Sequence, residues 1–384
     1  MFSNQFGATA RAEVAIIGGG VIGLSLARAL AQRGTRDIVV IEKGEFGREA
    51  SWAAGGILAP QLEADRADDF FRLACASRDL YPRFARELKY ETGIDIELNT
   101  AGTLYVAFEE SEETELRQRV EWQQSQRLNV QFLTGEEVRA LEPSLSNEVR
   151  CALRFPDDYQ VENRKLVEAL LSTNRKLEVR LVDNCTVQEI QIANRSVTGV
   201  VCEAGVLQTS KVIIAAGAWS SLIQAKDVRL PQLGVEPVRG QMLCFDAPDL
   251  VRHVIYSAKG YVVPRRDGRL LAGSTSERVG FDKRVTDLGV EAIKSMAYEI
   301  LPSLGRLSIV KSWAGFRPRA KDDLPVLGKV YGIEGLSYAT GHYRNGILLA
   351  PITAELMSRE ILGESPVEML KPFSPDRFAT DGPS

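Results

Sequence analysis

The chain has 384 residues, and its 47 Lys and Arg against 51 Asp and Glu give a formal charge of −4 with neutral histidines. This weakly negative balance provides no global field to attract nucleic acid or an anionic membrane surface, so we expect neither as a partner. Hydrophobic residues at 45% and charged residues at 26% exclude a disordered or collagen-like chain, and the length predicts two domains, with three as the alternative.

The first predicted elements form a βαβ unit. The apolar run 13–17 predicts a buried parallel strand, 21–32 predicts a helix that stops at Gly34, and 37–42 predicts the next strand. An amphipathic helix is predicted at 68–90 and a charged helix at 112–127. Thr134 and Glu137 have the spacing of a capping box, which indicates the start of another helix.

The second half of the chain is predicted to be richer in strands. Short strands are expected at 178–217 and 238–276, and the turn signal at Asp267 and Gly268 indicates an antiparallel hairpin in the second region. A helix at 287–301, a strand at 308–313 and a strand followed by a helix at 336–357 complete the prediction.

The segment 18–23 has the pattern G-x-G-x-x-G directly after a predicted strand and at the start of a predicted helix. Gly18 allows a tight turn, Gly20 lets the backbone approach a pyrophosphate, and Gly23 brings the helix close to the strand. The helix N-terminus at Val21 and Ile22 offers N–H groups and the positive end of the helix dipole. We therefore predict a dinucleotide site, with a purely structural glycine turn as the alternative.

An acidic residue ends the second strand of this unit. The carboxylate of Glu42 can accept hydrogen bonds from both hydroxyls of an adenosine ribose and would repel a 2′-phosphate; Lys43 follows it and is assigned to the same site. The motif does not separate NAD from FAD, because both molecules carry the same ADP half.

The cysteines indicate neither a disulfide framework nor a zinc site, and no metal is expected. Their number is odd and they lie far apart without a CxxC pair. They are Cys75, Cys151, Cys185, Cys202 and Cys244. This usage predicts a reducing, cytoplasmic location. The apolar stretch 14–30 is too short and too rich in glycine to span a bilayer, and it lacks the cleavage site of a signal peptide.

Three further segments resemble one family of flavoenzymes. They are EASWAAGG at 49–56, WAGFRPRAKDDLPVLG at 313–328 and GLSYATGHYRNGILLAP at 335–351. On these segments the chain resembles the glycine oxidase (ThiO) group of the D-amino-acid oxidase superfamily, from about residue 13 to residue 372. The resemblance implies FAD. It also implies non-covalent binding, because sarcosine oxidases attach their flavin through a cysteine near 316–323 and none of the five cysteines lies there.

The resemblance implies further cofactor-binding residues in small-residue loops and at the start of the last helix. The loop 49–56 would run beneath the flavin, and backbone N–H groups of the last helix would face the flavin N1 and C2 carbonyl. The residues implied are Ser51, Ala53, Ala54, Gly55, Val187, Gly217, His342, Arg344, Asn345, Gly346, Ile347 and Leu348. For His342, purely structural support is the alternative.

The resemblance also implies a site for the substrate carboxylate. Arg317 would grip this group through its planar fork, for which lysine is a poor substitute, and Tyr261 would donate its hydroxyl to the same group. Arg344 would lie near the flavin or the mouth of the site, with an outer ion pair as the alternative. Ser276 stands where glycine oxidases often carry a larger apolar residue beside the substrate, and Lys259 lies in a variable stretch, so the preferred amine stays open.

The activity implied is oxidation of glycine, sarcosine and small D-amino acids, which would serve synthesis of the thiamine thiazole. Hydride would pass from Cα to flavin N5, water would hydrolyse the imine to a 2-oxo acid with release of ammonia or an amine, and O2 would yield hydrogen peroxide. No side chain is needed as acid or base, so neither histidine is assigned that role.

Three alternatives stay open at this point. The first is a D-amino-acid or sarcosine dehydrogenase with an acceptor other than O2, and the second is a flavin subunit of a larger complex. The third is an RNA-modifying module, against which the lack of an obvious basic and aromatic patch argues.

The fold class predicted is α/β. A Rossmann-like FAD-binding domain of the glutathione-reductase type would be interleaved with an α+β substrate domain built on an antiparallel sheet. The FAD-binding domain is expected at 10–80, 155–222 and 315–372, and the substrate domain at 81–154 and 223–314, with tails at 1–9 and 373–384. Because the family often forms tetramers, a homo-oligomer is expected.

Overall fold

Two large β-sheets organise the structure, a computed structural model that describes residues 10–364 and 367–378. In chain order, its strands are β1 (Val14–Ile17), β2 (Ile38–Ile41), β3 (Ile57–Leu58), β4 (Thr103–Ala107), β5 (Gln131–Thr134), β6 (Cys151–Phe155), β7 (Tyr159–Gln160), β8 (Arg180–Val182), β9 (Val187–Ala193), β10 (Ser196–Cys202), β11 (Gly205–Gln208), β12 (Val212–Ile214), β13 (Glu236–Asp246), β14 (Val254–Ser257), β15 (Gly260–Pro264), β16 (Arg269–Gly273), β17 (Ile309–Arg319), β18 (Val326–Lys329) and β19 (Leu336–Thr340).

Helices cover the sheets and connect their strands. They are α1 (Val21–Gln32), α2 (Ala50–Ala53), α3 (Pro60–Glu63), α4 (Asp69–Thr92), α5 (Glu110–Ser125), α6 (Gly135–Leu141), α7 (Asn163–Lys176), α8 (Asp287–Ile300) and α9 (Gly346–Ile361). Short 3-10 helices occupy Gly217–Leu222, Pro302–Arg306, Glu368–Phe373 and Pro375–Phe378.

The first sheet, which we call the parallel sheet, has the order β18-β19-β12-β1-β2-β8. All of its pairings are parallel except that of β18 with β19. Side chains of β1 alternate between two cores, as the period of a strand requires. Val14 and Ile16 pack with α1, α4, α7 and α9, whereas Ala15 and Ile17 pack with the small sheet β9–β11. The predicted βαβ unit is thus the centre of this sheet.

The second sheet, which we call the antiparallel sheet, has the order β17-β13-β16-β15-β14-β4-β6-β5. Its pairings are antiparallel except for the parallel pair β14 and β4. Helix α8 packs on one face through Ile293, Met296 and Ala297. A parallel sheet with a second unit on an antiparallel sheet is the predicted architecture, and the fold class is confirmed.

The chain passes between the two sheets several times. The predicted limit at 80/81 falls within α4, whose later residues Tyr81, Phe84 and Leu88 pack in the same core as α1 and α9. These later residues of α4 therefore pack on the side of the parallel sheet. The domain limits stay a prediction. Of the predicted tails 1–9 and 373–384, residues 1–9 and 379–384 lie outside the described residues, whereas 373–378 are described.

No helix within the described ranges is long and apolar enough to cross a membrane. In the same ranges, no group of three or more His, Cys, Asp and Glu side chains could hold a metal ion.

Candidate functional site

A cavity of about 380 Å³ lies between the two sheets and is lined by residues from both. The glycine turn after β1 forms part of its wall. At Gly18, which has a φ of 114°, a Cβ atom would lie 2.3 Å from the carbonyl oxygen of Ala215. At Gly23 it would lie 2.0 Å from the carbonyl oxygen of Gly18. No side chain fits at either position, so the sequence here dictates a very close approach of strand and helix.

Helix α1 begins beside the cavity, and no side chain of its own N-cap residue bonds to its first N–H groups. Gly20 is its N-cap residue and makes no side-chain cap, and the N–H of Val21 donates to the Ser51 hydroxyl over 2.9 Å. A Cβ atom at Gly20 would lie 3.2 Å from that hydroxyl oxygen, so the passage between turn and loop is narrow. A helix N-terminus bordered by glycine and a hydroxyl is suited to an anionic group.

The carboxylate of Glu42 is fixed at the end of β2. It accepts hydrogen bonds from the N–H groups of Gly19 at 2.7 Å and Gly44 at 3.0 Å. Beside it, the ammonium of Lys43 lies 3.2 Å from the centre of the Trp219 ring. Burial lowers the pKa of Lys43, and the carboxylates of Glu49 and Glu42 oppose that effect. Glu42, Lys43 and Val187 line the same part of the cavity wall as Cys185, and Cys185 is a free thiol.

The loop 49–56 is held by residues of the antiparallel sheet and of helix α7. Trp313 of β17 donates its indole N–H to the carbonyl of Ala53 at 3.1 Å, and Asn163 donates to the carbonyl of Ser51 at 2.7 Å. Arg265, buried in the hairpin turn of the antiparallel sheet, donates to the carbonyl of Gly55 at 2.9 Å. These contacts fix the backbone of Ser51, Ala53, Ala54 and Gly55, all of which line the cavity.

Arg317 and Tyr261 meet on the antiparallel sheet. Both side chains line the cavity. The Tyr261 hydroxyl donates to the Ser274 hydroxyl at 3.3 Å, and the Arg317 guanidinium donates to the same oxygen. Arg317 also donates to the carbonyl of Thr275 at 3.1 Å. These bonds orient a cation and a phenol toward one place, an arrangement that can bind a carboxylate.

The turn before α9, residues 342–344, forms another part of the cavity wall. Tyr343, at a φ of 48°, donates its N–H to the carbonyl of Pro318 at 2.9 Å, which brings this turn against the end of β17. Arg344 lines the cavity and is solvent-exposed. Gly346 and Ile347, at the start of α9, line it as well, so the N-terminus of a second helix borders the cavity.

His342 lines the cavity but is only 3% exposed, and its Nε2 lies 3.1 Å from the hydroxyl of Thr353. Burial lowers the pKa of His342 to about 3. The imidazole is therefore neutral at any ordinary working pH and contributes no charge to the cavity.

The structure brings most of the residues singled out in the sequence to this one cavity. Gly217 lines it too. Four others do not line it. These are Gly23, which packs strand on helix, Leu348, which is 1% exposed, Asn345, which bonds to Glu63 at 3.3 Å, and Ser276, which is solvent-exposed.

Sequence reasoning did not identify several wall residues. Met242, Trp219 and Phe316 line the cavity, and Ser274, rather than Ser276, contacts Arg317. Phe316 lies within a segment that carried the resemblance, and Met242 lies within the strand-rich region predicted at 238–276. The position of Ser274 depends on the strand register, which the sequence pattern does not define.

Comparison with known proteins gives consistent matches over nearly the whole chain. Residues 13–360 match the family described as FAD dependent oxidoreductase (DAO). A glycine oxidase of Pseudomonas aeruginosa is 35% identical over 366 residues, which cover 94% of this chain and 98% of that protein. A bifunctional protein ThiO/ThiG of Synechocystis sp. is 37% identical over 375 residues, which cover 96% of this chain and 54% of that protein. The crystal structure of glycine oxidase from Geobacillus kaustophilus has a TM-score of 0.90 at 35% identity, with 95% of this chain and 98% of that chain covered.

Proposed function

Because the chain belongs to the FAD dependent oxidoreductase (DAO) family and is an FAD-dependent amino-acid oxidase, we propose that it is a glycine oxidase that acts on glycine, sarcosine and small D-amino acids. The proposal rests on one observation. Arg317 and Tyr261 both line the cavity that the glycine turn borders, and both donate to the hydroxyl of Ser274. A guanidinium and a phenol directed to one place suit a substrate that is small and has a carboxylate at one end.

The cavity fits FAD by the chemistry of its walls. The N-terminus of α1 with Gly18 and Gly20 would hold the pyrophosphate, and the fixed carboxylate of Glu42 would hold the ribose of the adenosine. The remaining predicted residues of the loop 49–56, Val187, Gly217 and the start of α9 border the same cavity. Of the free cysteines only Cys185 is a wall residue, and it lies with Val187 on the adenosine side, which supports non-covalent binding.

FAD, when bound, would supply the redox chemistry, which is removal of a hydride from the substrate Cα and reduction of O2 to hydrogen peroxide. The chain would bind and orient the substrate. Arg317 holds the carboxylate with the fork that Ser274 and Thr275 align, and Tyr261 donates its hydroxyl. Because burial lowers the pKa of His342 to about 3, this side chain stays neutral and supplies neither an acid nor a charge to the substrate.

The test is an anaerobic absorbance spectrum of the purified protein with FAD during addition of glycine, followed by admission of air and a peroxide assay. Bleaching near ~450 nm, as expected for a flavin that takes up hydride, followed by peroxide, supports a glycine oxidase. Bleaching without peroxide indicates the dehydrogenase with another acceptor. If glycine, sarcosine and D-alanine all leave the spectrum unchanged, the substrate proposal is wrong.

A role in synthesis of the thiamine thiazole is supported by the fused relative. This chain matches 54% of the bifunctional ThiO/ThiG protein, so in that protein the matched half is joined to a second half. We expect a strain that lacks this chain to grow without thiamine only when thiazole is supplied. Normal growth without either supplement would remove the pathway proposal and leave the oxidase proposal in place.

A cytoplasmic homo-oligomer is part of the same proposal. The support is the odd number of cysteines, all free, and the frequent tetramers of the family that the chain resembles. Light scattering after size exclusion measures the assembly, and a monomeric mass would contradict it.

A further inference from the structure

A loop between β16 and α8 reaches from the antiparallel sheet to the cavity wall. We call its residues 277–286 the strap. Two buried side chains of β13 hold its ends. Arg239 forms an ion pair with Glu277, and Gln241 donates to the Glu277 carboxylate at 2.8 Å and to the Thr286 hydroxyl at 3.0 Å. Both ends of the strap are therefore fixed to the antiparallel sheet.

One aromatic side chain of the strap packs on wall residues of the cavity. The ring of Phe281 stacks on that of Trp219, with centres 5.1 Å apart and planes inclined by 27°. Phe281 also makes an edge contact with Phe316 at 5.6 Å, and Trp219 and Phe316 are in edge contact at 6.0 Å. Trp219 and Phe316 both line the cavity. Three mutually packed rings thus join the strap to the wall, an arrangement that stabilises beyond the area it buries.

The second contact of the strap with the wall is an ion pair. The ammonium of Lys283 lies 2.6 Å from the carboxylate of Glu49, which lines the cavity and directly precedes α2. Glu49 follows β2 in the chain and Trp219 follows β12, and both strands belong to the parallel sheet. The strap therefore connects the antiparallel sheet to the part of the wall that the parallel sheet carries.

The strap contacts differ in exposure from the other contacts across the cavity. Phe281 is 43% exposed and the side chain of Lys283 is 41% exposed. In contrast, Trp313 and Arg265, which bond to the loop 49–56, are buried. Separation of the buried contacts would expose core side chains, whereas Phe281 and Lys283 can detach without that cost. Local opening begins where few buried contacts oppose it, so the strap is the first of these contacts to open.

We propose that Phe281 and Lys283 are cofactor-retaining residues: they fasten the strap to the cavity wall and so slow the release of FAD. A ligand enclosed between two parts of a chain leaves no faster than those parts separate. The inference goes beyond the proposed function, because FAD belongs to the family of this chain and its retention does not depend on which amine is oxidised.

The experiment measures how fast FAD leaves the holoprotein. The protein is diluted far below the dissociation constant of the cofactor, and the change in flavin fluorescence gives the rate of release. The variants are F281A and K283M. The controls are V279A, which truncates another half-exposed apolar side chain of the strap, and K294M, which removes the ion pair of Lys294 with Glu291 at 2.8 Å on α8.

We expect F281A to release FAD about fivefold faster than the wild type and K283M about threefold faster, the effects of losing an aromatic pair and an exposed ion pair. V279A and K294M should stay within about 1.5-fold of the wild-type rate, as surface substitutions away from such contacts do. If F281A or K283M releases FAD at the wild-type rate, or if V279A is as fast as F281A, the inference is wrong.

Conservative variants separate retention of FAD from a general loss of structure. F281Y keeps the ring and K283R keeps the charge, so both should release FAD within about 1.5-fold of the wild-type rate. An F281Y protein as fast as F281A would overturn the role of the ring contact.

Salt tests the ion pair separately. Because salt screens an exposed ion pair, added salt should accelerate release from the wild type more than from K283M. Equal salt dependences of the two proteins would overturn the role of Lys283.

None of these measurements requires an amine substrate or turnover. A protein that releases FAD as expected but does not oxidise glycine would support the inference and remove the proposed function. A glycine oxidase whose F281A variant keeps the wild-type release rate would do the opposite.

Discussion

Arg317 on β17 is suited to binding a carboxylate because other residues fix the plane of its guanidinium. Thr275 and Ser274 each receive one of its N–H donors, and the adjacent Gly240 leaves room for the group, since a Cβ there would lie 2.4 Å from it. An ammonium of lysine is a single point donor on a flexible chain and cannot reproduce these bonds.

We therefore expect R317K to raise the KM for glycine by about 10- to 100-fold, the effect of losing charge-assisted hydrogen bonds of about 1.5–3 kcal/mol. Steady-state kinetics with peroxide detection measure it. The matched control is R319K, two residues along the same strand, where Arg319 pairs with Glu236 at 3.1 Å away from the cavity lining. An R317K enzyme with KM within threefold of wild type would remove Arg317 from substrate binding.

The buried imidazole provides a prediction about pH. Because burial holds the pKa of His342 at about 3, it does not titrate between pH 5 and 8. We expect the pH profile of kcat/KM for H342Q to keep the shape of the wild-type profile over this range, even if its height changes. An inflection near ~6.5 that the substitution removes would show that the histidine carries a proton in the active enzyme.

Helix α9 depends on a side chain from another helix at its first turn. Pro351 lies within α9 and has no N–H, so the carbonyl of Ile347 has no donor four residues later. The hydroxyl of Tyr81, from α4, donates to that carbonyl, and the hydroxyl of Ser77 donates to the next one, that of Leu348, at 2.6 Å. The turn of α9 that borders the cavity is therefore completed by α4.

Removal of the Tyr81 hydroxyl should destabilise the folded protein. We expect Y81F to lower the free energy of unfolding by about 1–3 kcal/mol, because the buried Ile347 carbonyl then lacks a partner. Urea denaturation measures it. The control is Y90F on the same helix, where the side chain is 93% exposed and a change within about 0.5 kcal/mol is expected. Equal stability of the two variants would contradict this account of α9.

Local elements were predictable from the sequence where short-range rules decide them. Helix α1 has the predicted bounds, Thr134 and Glu137 form the predicted capping box, and Asp267 and Gly268 lie between the strands of the predicted hairpin. In each case the residues concerned are neighbours in the chain, so spacing alone carries the information.

Contacts between distant parts of the chain were not predictable in this way. The bond of Ser51 to the start of α1, the bond of Tyr81 to Ile347 and the contacts of Arg265 join residues 30, 266 and 210 positions apart. They depend on how the sheets pack, and the glycine pattern predicted only that a close approach exists. The family resemblance indicated residues around the cavity, but not the hydroxyl of Ser274 that contacts Arg317.

At the scale of the whole molecule, stability should depend on a buried carboxyl at the junction of the two sheets. Asp158 is fully buried and accepts a hydrogen bond from Thr103 at 3.1 Å. Burial raises the pKa of Asp158 to about 7, although the charge of Arg78 opposes the shift. The folded protein therefore favours the neutral carboxyl of Asp158. The contribution of this preference to stability is complete below the pKa of Asp in the unfolded chain, about 3.9, and it is lost as pH rises through the folded pKa of about 7.

We expect the free energy of unfolding of the wild type to fall between pH 5 and 8 by at least about 1 kcal/mol more than that of D158N, since one pKa unit corresponds to about 1.4 kcal/mol. Urea titrations at both pH values, compared between the two proteins, isolate this group from the other carboxyls. Parallel pH dependences would show that Asp158 ionises as readily when folded as when unfolded.

The order of strands in the parallel sheet also has a consequence for synthesis of the chain. The strand β1, which leads into the glycine turn, is made first, but it pairs with β12, and β12 pairs with β19 near the other end of the chain. Helix α9, which completes the cavity, is made later still. A nascent chain on the ribosome therefore presents the glycine turn long before it can enclose a cofactor. Retention of FAD therefore requires synthesis through α9, and premature termination before β19 would abolish it.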